Sequence, residues 1–393
     1  MRAKAGVSLA AALFTACRLA RSAREVQSDH LLLALCRASL GMRSSLGPEL
    51  RRLRRLQRVR DRHAAHRPRG YPPDAMTGAP AGPRLAVDTA LLEARWEACR
   101  TGRSGRPLSR APLWSAEAQS VVRRALATAT DSGVEFAGGG FAFDACLTAA
   151  RSRAIDLLDQ GGISGSDLRA AADGDGSLQY GDVRPTPTVQ ALVTFEMAEG
   201  PAELVAIPAG LSRYMLRRIE IDPMAFLLEL DTIRQAVRLG NGWVEPVHML
   251  LAALDLDEEL AATGVQLPGP YAAANSGGRA LRVAGLSWEQ LANWVAGNLD
   301  PGQPELVASY RPLWWRRRRA RAWRSHYQNP PWRMSAAAAA DRALAMAAER
   351  RRPGGTTHLV VAALADPGNT AVGMLESLGI DPAGVSRALV TSD

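Results

Sequence analysis

An all-α fold is what this 393-residue sequence predicts. Hydrophobic residues make up 47% and aromatics 5%. The cores must therefore be assembled mainly from Ala, Leu and Val, which suits closely packed helices better than a β-sandwich. Segments with alanines at i, i+4 recur, and an apolar segment headed by a histidine follows them at the start and the end of the chain. Two or three domains, each with its own core, fit this length.

In the first unit Ala12, Ala16 and Ala20 run alongside Leu9 and Leu13, a small-residue stripe that lets a second helix approach closely. His30-Leu31-Leu32-Leu33-Ala34-Leu35 comes ten residues on. A second unit opens at Trp114-Ser115-Ala116-Glu117, with Val121, Val122, Ala125, Leu126 and Ala129 as its apolar stripe. A third runs from Gln235 to Gly240 and then Val247-His248-Met249-Leu250-Leu251. The last sets Ala339, Ala343 and Ala347 ahead of His358-Leu359-Val360-Val361. Ser28 and Thr356 stand two residues before their histidines, where a hydroxyl accepts orphan helix N–H groups; Pro246 takes that place in the third unit as a first-turn proline. Further on, Leu378-Gly379-Ile380-Asp381-Pro382 reads as a glycine stop, a short apolar link and an Asp-capped helix opening with proline. Gly161-Gly162-Ile163-Ser164 repeats it, and so, without the glycine, does Ile219-Glu220-Ile221-Asp222-Pro223.

This order of spaced alanines, a histidine-headed HLLLAL helix and a GID element resembles the Clp N-terminal repeat found in Clp AAA+ unfoldases. The resemblance covers about two-thirds of the chain. It implies tandem four-helix repeats forming two pseudo-symmetric domains joined by Pro/Gly-rich linkers. The boundaries expected are 1–172, with units at about 7–60 and 114–170; a linker at 173–185; a second region at 186–297, divided at 230; an Arg/Trp-rich linker at 298–334; and a C-terminal repeat at 335–393. It also implies a non-catalytic peptide- or degron-binding protein acting as adaptor, decoy or ligand-sequestering protein. Its partners would be degron-bearing clients, arginine-phosphorylated ones included, a Clp ATPase or protease, or cyclic peptide antibiotics.

In the family a Thr-Glu pair ahead of the HLLL helix can hold the guanidinium of a phosphorylated arginine. Here Ser28-Asp29 matches in character, and aligning Phe143-Asp144-Ala145 with Ser28 onward makes Asp144 the second acid. Ser28, Asp29 and Asp144 are thus the ligand-binding candidates. The helix dipole equally explains a first-turn carboxylate.

Composition excludes several alternatives. Lys4 is the sole lysine and stands between two alanines, so no GxxxxGK[ST] phosphate loop is possible, and Schiff-base or kinase-type chemistry lacks its lysine. GxSxG, HExxH and a GxGxxG in a βαβ context are absent, and Gly138-Gly139-Gly140 is a plain glycine run. No catalytic residue, cofactor or metal site is expected. His30, His248 and His358 hold one equivalent position in separate repeats and read as helix-start histidines; His63 and His66 form a lone HxxH. Asp173-Gly174-Asp175-Gly176-Ser177 puts Ala171 at the first calcium-ligand position, so it reads as linker.

Cys17, Cys36, Cys99 and Cys146 lack CxxC spacing and read as reduced thiols of a cytoplasmic protein. The first residues imitate a secretory signal with Cys17 at a lipoprotein-like site. Arg18, Arg21 and Arg24 follow at once, and the segment reads instead as a retained core helix. No apolar run reaches the ~18 residues of a membrane span. Segments 67–83, 173–187, 267–278 and 300–304 are rich in Pro and Gly and read as mobile linkers. The formal charge is +9, its positive side nearly all arginine, with clusters at 51–62 and 314–324. These are solvated charge or, as the alternative function, a nucleic-acid-binding surface in which Trp314, Trp315, Arg316, Arg317, Arg318 and Arg319 supply base stacking and phosphate pairing.

Overall fold

In the computed structural model, residues 3–65, 83–100, 111–149, 152–173, 178–195, 197–198, 222–299 and 330–391 are described. They contain nineteen helices and four two-residue strands, in two compact units, Met1–Pro185 and Thr186–Asp393. No helix among them is long and apolar enough to cross a membrane.

The first unit runs β1 (Lys4–Ala5), α1 (Val7–Leu19), β2 (Glu25–Val26), α2 (Ser28–Ala38), α3 (Leu40–Ser45), α4 (Gly47–Ala65), α5 (Pro83–Arg100), β3 (Leu113–Trp114), α6 (Ala116–Asp131), β4 (Phe136–Ala137), α7 (Gly139–Thr148), α8 (Arg153–Gly161) and α9 (Gly165–Asp173). Helix α2 is buried from Ser28 to Cys36. That is why its sequence from Leu31 to Cys36 is apolar on every face: a helix surrounded by others has no side to give to water. The alanine stripe of α1 buries Ala12 and Ala16 against it, and α6 buries Ala118, Val121, Val122, Ala125, Leu126 and Ala129, the stripe read from the sequence.

Two helix pairs, α1–α2 and α6–α7, are tied by short strands that cross reciprocally. The strand ahead of α1 pairs in parallel with the strand ahead of α7, Ala5 opposite Ala137. The strand ahead of α2 pairs in parallel with the strand ahead of α6, Val26 opposite Trp114. Each pairing takes two residues, enough to satisfy backbone groups that helix entry leaves exposed.

The second unit contains α10 (Pro187–Thr194), α11 (Pro223–Arg238), α12 (Pro246–Thr263), α13 (Gly269–Ala274), α14 (Gly277–Val283), α15 (Trp288–Asn298), α16 (Met334–Glu349), α17 (Thr356–Leu364), α18 (Thr370–Ser377) and α19 (Pro382–Thr391). Helix α12 is its centre, buried from Pro246 to Leu256 and packed against α11, α14, α15, α17 and α18. Two contacts between helix leads tie this unit, one a backbone bridge and the other a side-chain hydrogen bond. Val244, ahead of α12, bridges in parallel to Trp332, ahead of α16. Asp222, ahead of α11, accepts the Gly354 N–H ahead of α17 through its side chain.

The predicted stops are in place. Gly162 and Gly379 adopt φ 66° and 74°, the left-handed conformation that ends a helix with least strain in glycine. Asp222 caps α11 through Met224 N–H at 3.0 Å, with Pro223 as first helical residue.

Several expectations need correction. Ser28 and Thr356 are not caps: the cap residues are Gln27 and Gly355, and both hydroxyl residues already lie inside their helices. Segment 267–278, expected as a mobile linker, holds α13 and the start of α14, where a Cβ on Gly277 would overlap the Thr356 carbonyl. Of the linker expected at 173–187, Asp173 ends α9, residues 178–182 are bonded to the first unit through Gly138 N–H to Tyr180 O at 2.7 Å and Asp182 N–H to Phe136 O at 3.0 Å, and Pro187 opens α10. Helix α5, which the repeat pattern does not contain, packs on α1 and α6. Most of segment 67–83 and all of 300–304 lie outside the described residues.

Candidate ligand site

Three helix starts meet at the head of α2. The Gln27 side chain accepts the His30 N–H, and the His30 ring lies 3.1 Å from the Gln27 N–H through Nδ1, a reciprocal capping box. Ser28 Oγ donates to Glu117 in the first turn of α6 and accepts the Ala154 N–H of α8 at 3.0 Å. Glu117 also accepts the Arg153 N–H at 2.9 Å. Ser28 is therefore bound on both sides by its own protein.

Asp29 has 0% exposure. Its Oδ1 accepts the His30 N–H at 2.8 Å, while Oδ2 faces Arg153 Nη2 at 3.6 Å and Arg60 Nη1 at 3.9 Å. Burial opposes its ionisation, but hydrogen bonds and charge from His30, with Arg153 beyond, overcome that and hold the carboxyl below the usual range. Burial likewise disfavours a charged His30, yet Asp29 and Asp61 outweigh it and the ring is pushed up to about 9. His30 Nε2 lies 3.2 Å from Asp61 Oδ2 and 2.7 Å from Gln57 Nε2. The neutral ring accepts from Gln27; the imidazolium, favoured at neutral pH, turns Nδ1–H toward Asp29 Oδ1 at 3.1 Å. Asp29 thus already faces guanidinium groups, those of Arg60 and Arg153, and its burial closes it to an external one.

Asp144 stands differently from its expected place. Helix α7 begins at Gly139 and has no acid in its first turn, so Asp144 lies one turn deeper than the first-turn position of Asp29. The glycines 138–140 occupy the helix start because residues 178–180 press on it: a Cβ on Gly138 would overlap the Gln179 carbonyl. Asp144 is 31% exposed; its Oδ1 accepts Arg169 Nη2 at 2.6 Å and its Oδ2 accepts the Tyr180 hydroxyl at 2.8 Å. Phe141 meets the Tyr180 ring edge-on, centroids 5.2 Å apart at 85°. Asp29 and Asp144 share no hydrogen-bond or ion-pair partner among the described residues.

The histidines stay apart. His248 heads α12 as His30 heads α2, accepting the Glu245 N–H through Nδ1 at 2.8 Å, with Nε2 3.0 Å from Asn241 Oδ1. It has no carboxylate like Asp29 beside it in sequence, since Val247 takes that place, and burial pulls the ring down to about 3. His358 is buried at the start of α17, where Thr356 Oγ1 accepts the Gly277 N–H at 3.1 Å. Among the described residues no group of three or more His, Cys, Asp or Glu side chains is arranged to hold a metal ion. His66 and residues 174–177 lie outside the described residues, as do Trp314, Trp315 and Arg316 to Arg319.

Cys17, Cys36 and Cys146 are buried free thiols, and burial raises all three, Cys36 to about 12.

A second polar cluster, unforeseen in the sequence, lies inside the second unit. Arg234 Nη1 bonds Asp231 and, at 3.0 Å, Thr188 Oγ1. Asp255 Oδ2 accepts Gln235 Nε2 at 2.9 Å and Arg238 Nη1 at 2.6 Å. Glu259 Oε2 accepts the N–H groups of Thr188 and Val189 at 3.0 and 2.9 Å, capping α10 from another helix. Burial, then Asp255 and Asp231, push Glu259 well above the carboxylate range, and its Oε1 is buried without a hydrogen-bond partner among the described residues.

Comparison of the chain with models of known families, with curated proteins and with solved structures finds no match.

Proposed function

We propose that this chain is a non-catalytic peptide-binding protein built from Clp-type N-terminal repeats, serving as an adaptor, decoy or ligand-sequestering protein for a separate Clp ATPase. The observation that carries the reading is the reciprocal crossing of helix leads, Val26 with Trp114 and Ala5 with Ala137, around helices headed by a histidine. The second unit supports it with Val244 and Trp332 around α12. Strand crossings in the first unit, with one backbone bridge and one side-chain bond between helix leads in the second, fit tandem repeats of the kind the sequence resembles.

In this reading the accessible ligand position is Asp144 rather than Ser28 and Asp29, which are sealed between α2, α6 and α8. Asp144 and Arg169 present a carboxylate beside a guanidinium, with the half-exposed Tyr180 ring next to them. A phosphorylated arginine carries the complementary pair, a guanidinium for Asp144 and a phosphate for Arg169, and the bond between the two protein groups exchanges for two bonds to ligand. Cyclic peptide antibiotics and degron-bearing clients are the other members of the ligand class, and a reducing cytoplasm is the expected setting.

The experiment is co-purification of the tagged protein from its own cells together with degradation assays using the cognate Clp protease. Recovery of a Clp ATPase, and altered turnover of its clients on addition of this protein, is the expected result. No recovered ATPase and unchanged turnover would oppose the reading.

A further inference from the structure

The arginine run at 51–62 finds no use in peptide binding, and the fold turns it into a surface. Seven arginines and one aspartate occupy these twelve positions (RRLRRLQRVRDR). Helix α4 buries Leu50, Leu53, Gln57 and Asp61, one face at i, i+3, i+7, i+11. The sole acid of the run is therefore spent inward, on His30 at 3.2 Å, and Arg60 turns toward Asp29 with it. Arg51, Arg55, Arg58 and Arg62 fall at i, i+4, i+7 and i+11 on another face, and all four are exposed. Arg52 is exposed on the flank.

No carboxylate among the described residues forms an ion pair with these five guanidinium groups. Arg54 is held below its ordinary value by burial first and then by the charges of Arg37 and Arg58, which places Arg37 on the same crowded patch. The Arg54 Nε is buried without a hydrogen-bond partner among the described residues. Like charges packed this closely repel one another, and an external polyanion relieves them.

We propose that the outward face of α4, centred on Arg51, Arg55, Arg58 and Arg62, is a docking surface for the phosphate backbone of duplex nucleic acid. At 1.5 Å per residue the stripe is ~16 Å long, and a duplex offers one charge per ~1.7 Å of axis, so each guanidinium finds a phosphate without regard to sequence. The guanidinium fork matches phosphate oxygens in pairs. The helix has no Phe, Tyr or Trp on which successive unpaired bases would stack, only His63 at its end, which favours the duplex over a single strand. A lipid surface is the weaker partner because membrane-surface helices insert an apolar face. Here Leu50 and Leu53 are buried in the core and Leu56 packs against it, leaving Val59 as the large hydrophobic residue exposed on this helix.

The test uses the full chain and a fluorescent mixed-sequence duplex, titrated from 50 to about 200 mM salt, beside the quadruple variant R51Q/R55Q/R58Q/R62Q. The variant keeps every buried residue of α4, and its circular dichroism and Tm verify folding. Arg316 to Arg319 remain in both proteins, so the difference reports α4 alone. The expected result is duplex binding whose log K against log salt slope shrinks in magnitude by about 3 to 4 in the variant, at ~0.9 for each phosphate no longer neutralised. A second arm uses phosphatidylserine vesicles. No duplex binding at 50 mM salt, an unchanged slope in a folded variant, or vesicle binding stronger than duplex binding each overturns the proposal. So does a variant that fails to fold, since it would show that these side chains serve the core.

Discussion

The Nδ1 atom of His248 accepts the backbone N–H of Glu245 at 2.8 Å, three residues back along the chain. The Nδ1 atom of His30 lies 3.1 Å from the Gln27 N–H, which it accepts only as the neutral ring. The two rings hold equivalent positions and differ in charge environment: carboxylates flank His30, whereas His248 faces the Asn241 side chain.

Titration of the imidazoles by NMR should therefore separate them. His30 is expected to lose its proton near pH 9, and His248 to remain neutral until pH falls to about 3. For stability, the raised folded-state value of His30 means its contribution is full below about pH 6.5 and is lost as pH climbs through about 9. A rise from 6.5 to about 9 corresponds to a contribution on the order of 3 kcal/mol. The depressed value of His248 has the opposite sense: its contribution is full above about pH 6.5 and is lost as pH falls toward 3. If both rings titrate near their ordinary value, the helix-start account of the histidines is wrong.

Asp29→Asn removes the charge that keeps the His30 imidazolium favourable. The expected outcome is a lower first-unit stability at pH 6 to 7, by about 1–3 kcal/mol, and a His30 titration shifted downward. Urea denaturation and the same NMR titration measure both. An unchanged His30 would contradict the proximity of the two groups.

Burial, with Asp255 and Asp231, raises the folded-state value of Glu259 above its unfolded one. Its contribution is present at pH values below the unfolded carboxylate range and declines as pH rises through the folded value. Glu259→Gln keeps an oxygen for the Thr188 and Val189 N–H groups, so it should match the wild type in acid and exceed it as pH rises. Glu259→Ala leaves those buried donors unmatched and should cost about 1–3 kcal/mol at every pH. Thermal denaturation between pH 4 and 9 distinguishes the two; equal loss in both variants would show that the carboxyl is ionised in the fold.

Gly277→Ala should destabilise the second unit by about 1–3 kcal/mol, because the added methyl meets the Thr356 carbonyl and the Val360 side chain. Gly285→Ala tests a different cause, since no atom lies within 4 Å of its Cβ position and only the φ of 88° opposes the change. Denaturant midpoints for the two variants measure the packing and backbone contributions. A Gly277→Ala protein of wild-type stability would refute the close approach of α14 and α17.

Much of the helical framework is legible in the sequence because periodicity reports burial directly: the Val121, Ala125, Ala129 stripe and the Asp222-Pro223 helix start need no tertiary information. The caps of α2 and α17 escape sequence reasoning because hydroxyls are the usual cap, whereas here a histidine ring lets Gln27 serve, and Gly355 needs no side chain at all. Asp144 falls one turn from its expected position for a related reason. The start of α7 is three glycines, chosen for room against residues 178–180, and they leave no polar signature to align. The burial of Ser28 and Asp29 depends on Glu117 and Arg153, some ninety and more residues away in sequence, and no local pattern carries that. One clue is present in the chain: Asp61, an acid alone in a run of arginines, is the residue that turns inward.

The most direct measurement of the proposed function is calorimetric titration of the full chain with an arginine-phosphorylated peptide, its unmodified counterpart and a cyclic peptide ligand of Clp N-terminal domains, repeated with Asp144→Asn. The account predicts binding of at least one of the Clp-type ligands. For the phosphorylated peptide it predicts preference over the unmodified form and a loss of about tenfold or more in the variant, consistent with a lost charged hydrogen bond. Silence from all three ligands would contradict it.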